Sequence, residues 1–231
     1  MEDEVVVTIL MPCLNEAFTI QACILQAKKF LHTYHIHGEI LIVDNGSDDE
    51  SVSIAKRHQV RVITCTEKGY GNALRLGILN AKGRYCIIGD CDGSYNFMDS
   101  YQILRYLQAG YGLVMGNRMH KQMKQRAMPW SHKYIGVPFL SWLGRMICNV
   151  SIKDFHCGLR GIHTKTFQSF TFCSSGMEFA SEMIKVAAKH HIPISQTNII
   201  LYPDKRNKKS HLRPIRDGIR HIYVLVKKNE V

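Results

Sequence analysis

Apolar and polar positions along the chain follow two rhythms that alternate through its first half. Val5 to Met11 is an apolar, β-branched run closed by Pro12, which predicts a buried strand. Glu39–Asp44, Val60–Thr64, Tyr85–Asp90 and Leu113–Arg118 have the same character and predict four more strands. Between them lie segments with helical spacing. These run from Glu16 to Phe30, from Glu50 to His58 behind the turn and cap signal Asn45-Gly46-Ser47, from Gly69 to Asn80, and from Tyr101 to Gln108. Regular alternation of this kind implies right-handed crossovers and a largely parallel, Rossmann-like sheet flanked by helices in a single α/β domain.

Beyond Arg118 the rhythm changes. Lys121–Arg126 reads as a basic loop, and Pro129–Asn149 as a helical segment containing Trp130 and Trp142. Gly158–His163 predicts a short strand. Met177–His190 predicts a helix with Phe179, Met183 and Val186 on one face, and Ile194–Tyr202 a last strand. The chain then becomes basic and ends in an apolar-and-basic helix over Ile215–Lys228. The organisation expected is a main unit over 1–213, with a first half at 1–118 and a second at 119–213, followed by an amphipathic terminal helix at 214–231.

Composition narrows the class. The chain has 231 residues, 45% of them hydrophobic and 21% charged, which suits one compact domain and excludes disorder, collagen and simple coiled coil. No uncharged apolar run approaches the ~20 residues that span a bilayer. The acidic start, Met1-Glu2-Asp3-Glu4, has neither the basic nor the apolar region of a secretory signal. The eight cysteines include no CxxC pair and several fall in apolar runs, so reduced, packed thiols in a cytoplasmic protein are expected.

The net charge is +11 and it is unevenly placed. Between Asp99 and Asp154 there are eight bases and no acid, and from Lys205 to Arg216 six bases and no acid. The remainder is net acidic, so an anionic partner is met mainly by the second half. Nucleic acid, a phospholipid surface and phosphorylated small substrates are all compatible with that distribution alone.

In a parallel α/β sheet, ligands bind beyond the carboxyl ends of the strands. Polar residues gather at four such ends: Asn15 and Glu16, Asp44, Asp90 and Asp92, and Asn117 and Arg118. The sharpest element is Gly89-Asp90-Cys91-Asp92-Gly93. Two carboxylates one residue apart repel unless a cation compensates, and hard oxygen donors favour Mg²⁺ or Mn²⁺. In Lys68-Gly69-Tyr70-Gly71-Asn72 the glycines precede a helix, so the amides of Gly71 and Asn72 can meet phosphate; an ordinary turn is the alternative.

Taken in order, Met11-Pro-Cys-Leu-Asn-Glu16, Val43-Asp-Asn-Gly-Ser-Asp-Asp49, Lys68-Gly-Tyr-Gly-Asn-Ala73, Gly89-Asp-Cys-Asp-Gly93 and Gly116-Asn-Arg118 resemble a family 2 glycosyltransferase with the GT-A fold. Asp154-Phe-His-Cys-Gly-Leu-Arg160, Gly176-Met-Glu-Phe-Ala-Ser-Glu-Met183, Lys209-Ser-His-Leu-Arg213 and Asp217-Gly-Ile-Arg-His221 resemble, more narrowly, polyprenyl-phosphate glycosyltransferases of the dolichol-phosphate mannose synthase group. The resemblance implies that Pro12, Asn15, Glu16 and Asp44 hold the nucleotide, with Gly71 and Asn72 beside them. It implies that Asp90 and Asp92 hold the metal, and that Asn117 and Arg118, with Lys133 as a further candidate, meet the acceptor phosphate. Ser94 stands where that group often has a Gln, so the third protein ligand is open.

The activity implied is a metal-dependent, inverting transfer of a hexose from a UDP- or GDP-linked sugar to a polyprenyl (undecaprenyl or dolichyl) phosphate. Arg206, Lys209 and Arg213 are expected to close over the diphosphate. Gly158, Arg160, Glu178 and Glu182 are candidate sugar-pocket residues, the two glutamates alternatively pairing with Arg160. The basic terminal helix, with Ile219, Ile222, Tyr223 and Val226, suits a peripheral position at the cytoplasmic face of a membrane, or packing on the domain. A transferase of the same fold acting on a hydroxyl of a polysaccharide or another lipid is the main alternative, and a basic nucleic-acid-binding module the distant one; no nucleic-acid partner is expected.

Overall fold

A computed structural model of the chain describes residues 5–119, 127–205 and 213–227. Its strands are β1 (Val7–Cys13), β2 (Gly38–Asp44), β3 (Arg61–Thr64), β4 (Tyr85–Ile88), β5 (Leu113–Asn117), β6 (Arg160–His163) and β7 (Ile194–Asn198). Its helices are α1 (Ile20–Thr33), α2 (Ser51–Arg57), α3 (Tyr70–Asn80), α4 (Ser100–Gln108), α5 (Val137–Cys148), α6 (Thr164–Gln168), α7 (Phe179–Lys189) and α8 (Pro214–Val226). The strands form one seven-stranded sheet in the order β3-β2-β1-β4-β6-β5-β7. All pairings are parallel except those of β6, which runs antiparallel to both β4 and β5.

The buried run of β1 explains itself. It lies between β2 and β4, and all seven of its residues are buried, so both faces must be apolar rather than alternating. Helix α1 covers the sheet with a stripe of Ile20, Cys23, Ile24, Ala27 and Phe30, the three-and-four spacing of a single helical face. The cysteines of the described residues are free thiols, most of them buried.

Several boundaries differ from the sequence expectation for local reasons. Residues 16–19 form a turn, with Ile20 N–H donating to Glu16 O, and α1 starts only at Ile20. The tryptophan segment is a wide-turn helix at His132–Gly136 running into α5. The last strand ends at Asn198 instead of Tyr202. There the chain leaves β5, and Tyr202 and Lys205 donate their amides to Ser94 O and Asp92 O (2.9 and 3.1 Å). The short helix α6 has no period long enough to read beforehand. The basic loop expected at Lys121–Arg126 lies outside the described residues.

Helix α8 is tied to α7. Lys185 Nζ donates to Val224 O, Arg220 pairs with Glu178, and Leu225 is buried. The terminal helix therefore packs on the domain, while Ile215, Ile219, Tyr223 and Val226 are exposed.

Candidate active site

The carboxyl ends of β1, β2, β4 and β5 open on one rim. Because β6 is reversed, its first residue, Arg160, pairs with Ile88 of β4 and Met115 of β5 near that rim. A search restricted to carboxyl ends passes over this position, although Gly158 and Arg160 stand in a readable motif.

Two loops from β1 and β2 interlock. Asn15, at φ 58°, donates its amide to Ser47 Oγ (2.9 Å) and accepts Asp48 N–H on Oδ1 (2.9 Å). Glu16 is buried and accepts the Thr19 hydroxyl on Oε2 (3.1 Å). Asp44 accepts Gly46 N–H on Oδ2 and Ser47 N–H on Oδ1, both at 3.1 Å. All three side chains thus shape the loops that follow β1 and β2. Pro12 lies in β1 and its carbonyl accepts the Cys91 thiol (3.1 Å), which joins this strand end to the β4 turn.

Asn45 is the residue sequence reasoning missed here. Its Oδ1 accepts Gly69 N–H (2.7 Å) and its Nδ2 donates to Glu67 O (2.7 Å), so it couples the β2 loop to the start of α3. Gly69 has φ 131°, and a β-carbon there would lie 2.1 Å from Ser175 O. Only glycine fits so close to that carbonyl. This corrects the expectation that the Gly71 and Asn72 amides face a phosphate. Both point at Ser175 O, at 2.9 and 3.4 Å, and the Asn72 side chain donates to Lys68 O. Buried amides take the nearest acceptor, here a carbonyl 104 positions away.

The two aspartates sit beyond β4. Asp90 Oδ1 accepts the Tyr70 hydroxyl (2.9 Å), and Asp92 Oδ1 accepts the amide and hydroxyl of Ser94. Tyr70, a second missed residue, was hidden by its reading as a helix start. Burial, and next the Asp90 charge, raise its phenol well above the usual value. Gly158 closes the other side of Asp90, where a β-carbon would meet Oδ2 at 2.2 Å, and its amide donates to the buried Tyr95 hydroxyl (2.9 Å). Among the described residues no group of three or more His, Cys, Asp or Glu side chains is gathered for a metal. Two hard carboxylates still fit a divalent cation of the Mg²⁺ or Mn²⁺ kind, which takes one or two protein carboxylates and completes its shell with substrate phosphates and water.

On the β5 side, Asn117 donates to Asn198 Oδ1 (2.8 Å) and accepts Met119 N–H. Arg118 is held by Asp154 through Nε (2.7 Å) and Nη2 (2.9 Å), with its own amide on the same carboxylate. Burial opposes both charges, but the pairing wins. It keeps the guanidinium above its ordinary value and the carboxyl below its own. Arg118 is thus a cation whose charge is balanced by Asp154, with Nη1 not engaged by that carboxylate.

The glutamates also differ from expectation. Glu182 accepts the amides of Cys173 and Ser174, one on each oxygen (2.8 and 2.9 Å), so it clamps a loop. Glu178 pairs with Arg220 (2.6 Å), not Arg160, and its buried Oε2 has no partner among the described residues. Lys133 lies on the wide-turn helix beside exposed Trp130 and Tyr134, its ammonium 5.2 Å from the Tyr134 ring. Arg213 is exposed and its amide donates to Asp217 (2.7 Å). Arg206 and Lys209 lie outside the described residues.

The model of a family described as "Glycosyl transferase family 2" matches residues 8–172. Among curated proteins, the low-salt glycan biosynthesis hexosyltransferase Agl6 of Haloferax volcanii is 31% identical over 216 residues, 93% of this chain and 52% of that protein. The dolichyl-phosphate beta-glucosyltransferase of Drosophila melanogaster is 29% identical over 217 residues, 83% of this chain and 65% of that protein. The chain therefore spans about half to two thirds of the length of these relatives. Among solved structures, glucosyl-3-phosphoglycerate synthase from Mycobacterium tuberculosis in complex with Mn2+, uridine-diphosphate-glucose and phosphoglyceric acid superposes with a TM-score of 0.74 at 18% identity. That match covers 96% of this chain and 78% of the other, a likeness of fold.

Proposed function

Because the chain belongs to glycosyl transferase family 2 and has the GT-A fold, we propose that it transfers a hexose from a UDP- or GDP-linked sugar to a polyprenyl phosphate, with inversion at the anomeric carbon. The observation that carries this reading is the paired Asp90 and Asp92 at the end of β4, beside the interlocked β1 and β2 loops. The names of the dolichyl-phosphate glucosyltransferase relatives support the acceptor class.

The chemistry follows from charge. A lipid monophosphate is already anionic at neutral pH, so its oxygen attacks the anomeric carbon without a general base. The bond from that carbon to the diphosphate breaks, and the nucleoside diphosphate leaves with the electron pair. The protein must orient two anions and stabilise the leaving group. Asp90 and Asp92 would hold a divalent cation, which neutralises charge developing on the leaving diphosphate when bound. Tyr70 and Gly158 fix the orientation of Asp90, while Ser94 fixes that of Asp92.

A membrane-facing acceptor also suits the surface. Trp130, Phe139, Trp142 and Met146 along the tryptophan segment, and Ile219 and Tyr223 on α8, are exposed large apolar side chains. Helices α5 and α8 are in contact, and Lys133, Arg145, Arg216 and Lys227 lie along the same segments. Anionic headgroups attract such bases by ~1 kcal/mol each near the surface. Among the described residues no helix is long and apolar enough to cross a membrane; the contact proposed for these two segments is along the membrane surface.

The test is a radiolabel transfer screen combining several nucleotide sugars, Mg²⁺ or Mn²⁺, and a polyprenyl phosphate, with extraction of the lipid. Labelled lipid is expected with one donor. Asp92→Ala is expected to abolish transfer while circular dichroism is unchanged. No labelled lipid with any donor, or a variant retaining more than a tenth of the rate, overturns the reading.

A further inference from the structure

Arg160 is 1% exposed and leads the fully buried side chains by volume. Its contacts are poor for a buried cation: Nε donates to Gly158 O at 3.4 Å, and Nη1 approaches Met183 Sδ at 3.6 Å. Its neighbours are treated differently. Arg118 has the Asp154 carboxylate and Arg220 has Glu178. Among the described residues no carboxylate lies within ion-pair distance of the Arg160 guanidinium. Its charge reaches Tyr70, Cys157, His156 and His221, and burial keeps both imidazoles neutral.

A buried guanidinium without a counter-charge is costly, and a planar fork of donors matches phosphate oxygens. The backbone places this one at the site. Arg160 begins the reversed strand next to Ile88, two residues before Asp90. Gly158 joins the two groups, with its carbonyl on Arg160 Nε and its α-carbon against Asp90 Oδ2. We propose that Arg160 is a phosphate-binding residue, whose guanidinium takes an anionic substrate oxygen that enters beside Asp90. The contacts at 3.4 and 3.6 Å are the ones that yield when that oxygen arrives. The inference rests on the transfer reading, in which the oxygen comes either from the donor diphosphate or from the acceptor monophosphate.

The experiment compares wild type, Arg160→Met and Arg160→Lys. It measures thermal unfolding without ligand, and calorimetric affinity for UDP and GDP with Mn²⁺ and, separately, for farnesyl phosphate. Met fills a similar volume without charge, so Arg160→Met is expected to match or exceed the wild-type Tm while at least one affinity falls tenfold or more. Arg160→Lys is expected to recover part of that loss. A fall confined to the nucleotides assigns the donor diphosphate, and one confined to farnesyl phosphate assigns the acceptor. Unchanged affinities, or a Met variant that unfolds or melts several degrees lower, overturn the assignment of Arg160 and leave the transfer reading intact. A wild-type chain that binds none of the probes sinks both.

Discussion

Removing the counter-charge of Arg118 is the most direct test of how the β5 side of the site is built. Asp154 is wholly buried and accepts four hydrogen bonds, three from Arg118 and one from the His156 amide at 3.1 Å. At these separations the gross attraction is about 6 kcal/mol with an effective dielectric of 20, and desolvation offsets much of it. Asp154→Ala does not simply forfeit that difference; it strands the guanidinium of Arg118, a residue only 9% exposed. Breaking a buried pair from one side costs about 3–5 kcal/mol, a large share of the 5–15 kcal/mol typical of a whole domain. For a chain of this length the Tm should fall by roughly 10 °C. The assay is urea unfolding followed by circular dichroism. Arg118→Met combined with Asp154→Leu should regain most of the loss, since no charge is then stranded. If Asp154→Ala costs less than about 1 kcal/mol, solvent reaches the pair and the reading of Arg118 as a neutralised cation is wrong.

Two other outcomes can be checked with the same preparations. Tyr70→Phe removes the Tyr70 hydrogen bond from Asp90 Oδ1 and should reduce transfer at least tenfold with stability within about 1 kcal/mol of wild type; an unchanged rate would show that Asp90 does not need the Tyr70 hydroxyl. Burial pushes the His221 imidazole down to about 4, and His156 is lowered in the same sense. Between pH 6.5 and about 4 the unfolded chain therefore binds protons that the folded chain does not, so stability falls with acid across that window, by about 3 kcal/mol at most from His221 alone. Urea midpoints that do not fall from pH 7 to 4.5 would contradict this.

What was legible beforehand divides along a physical line. The sheet, its mainly parallel sense and the rim carrying Asp44, Asp90 and Asp92 follow from local periodicity, because burial on two faces writes itself into consecutive residues. The reversed β6 does not, since four residues between two strands say nothing of direction. The bonds a site residue has already made were not legible where the partner is distant in sequence. Arg118 is neutralised from 36 positions away, the Gly71 amide by Ser175, and Glu182 by the loop that carries Ser174. Position at a strand end identifies which residues are near a ligand. Whether they are free to bind it depends on the bonds they have already made.

The same accounting separates the arginines. Arg118 and Arg220 lie near the site with carboxylates already in hand, so their loss should be felt first as instability. Arg160 has a charge and, among the described residues, no carboxylate within ion-pair distance, on the strand whose direction the sequence could not reveal. In a chain with thirty basic residues and a net charge of +11, proximity to an anionic substrate is common and carries little information. An uncompensated cation inside the protein is rare, because burial penalises it, and that penalty makes Arg160 the informative one.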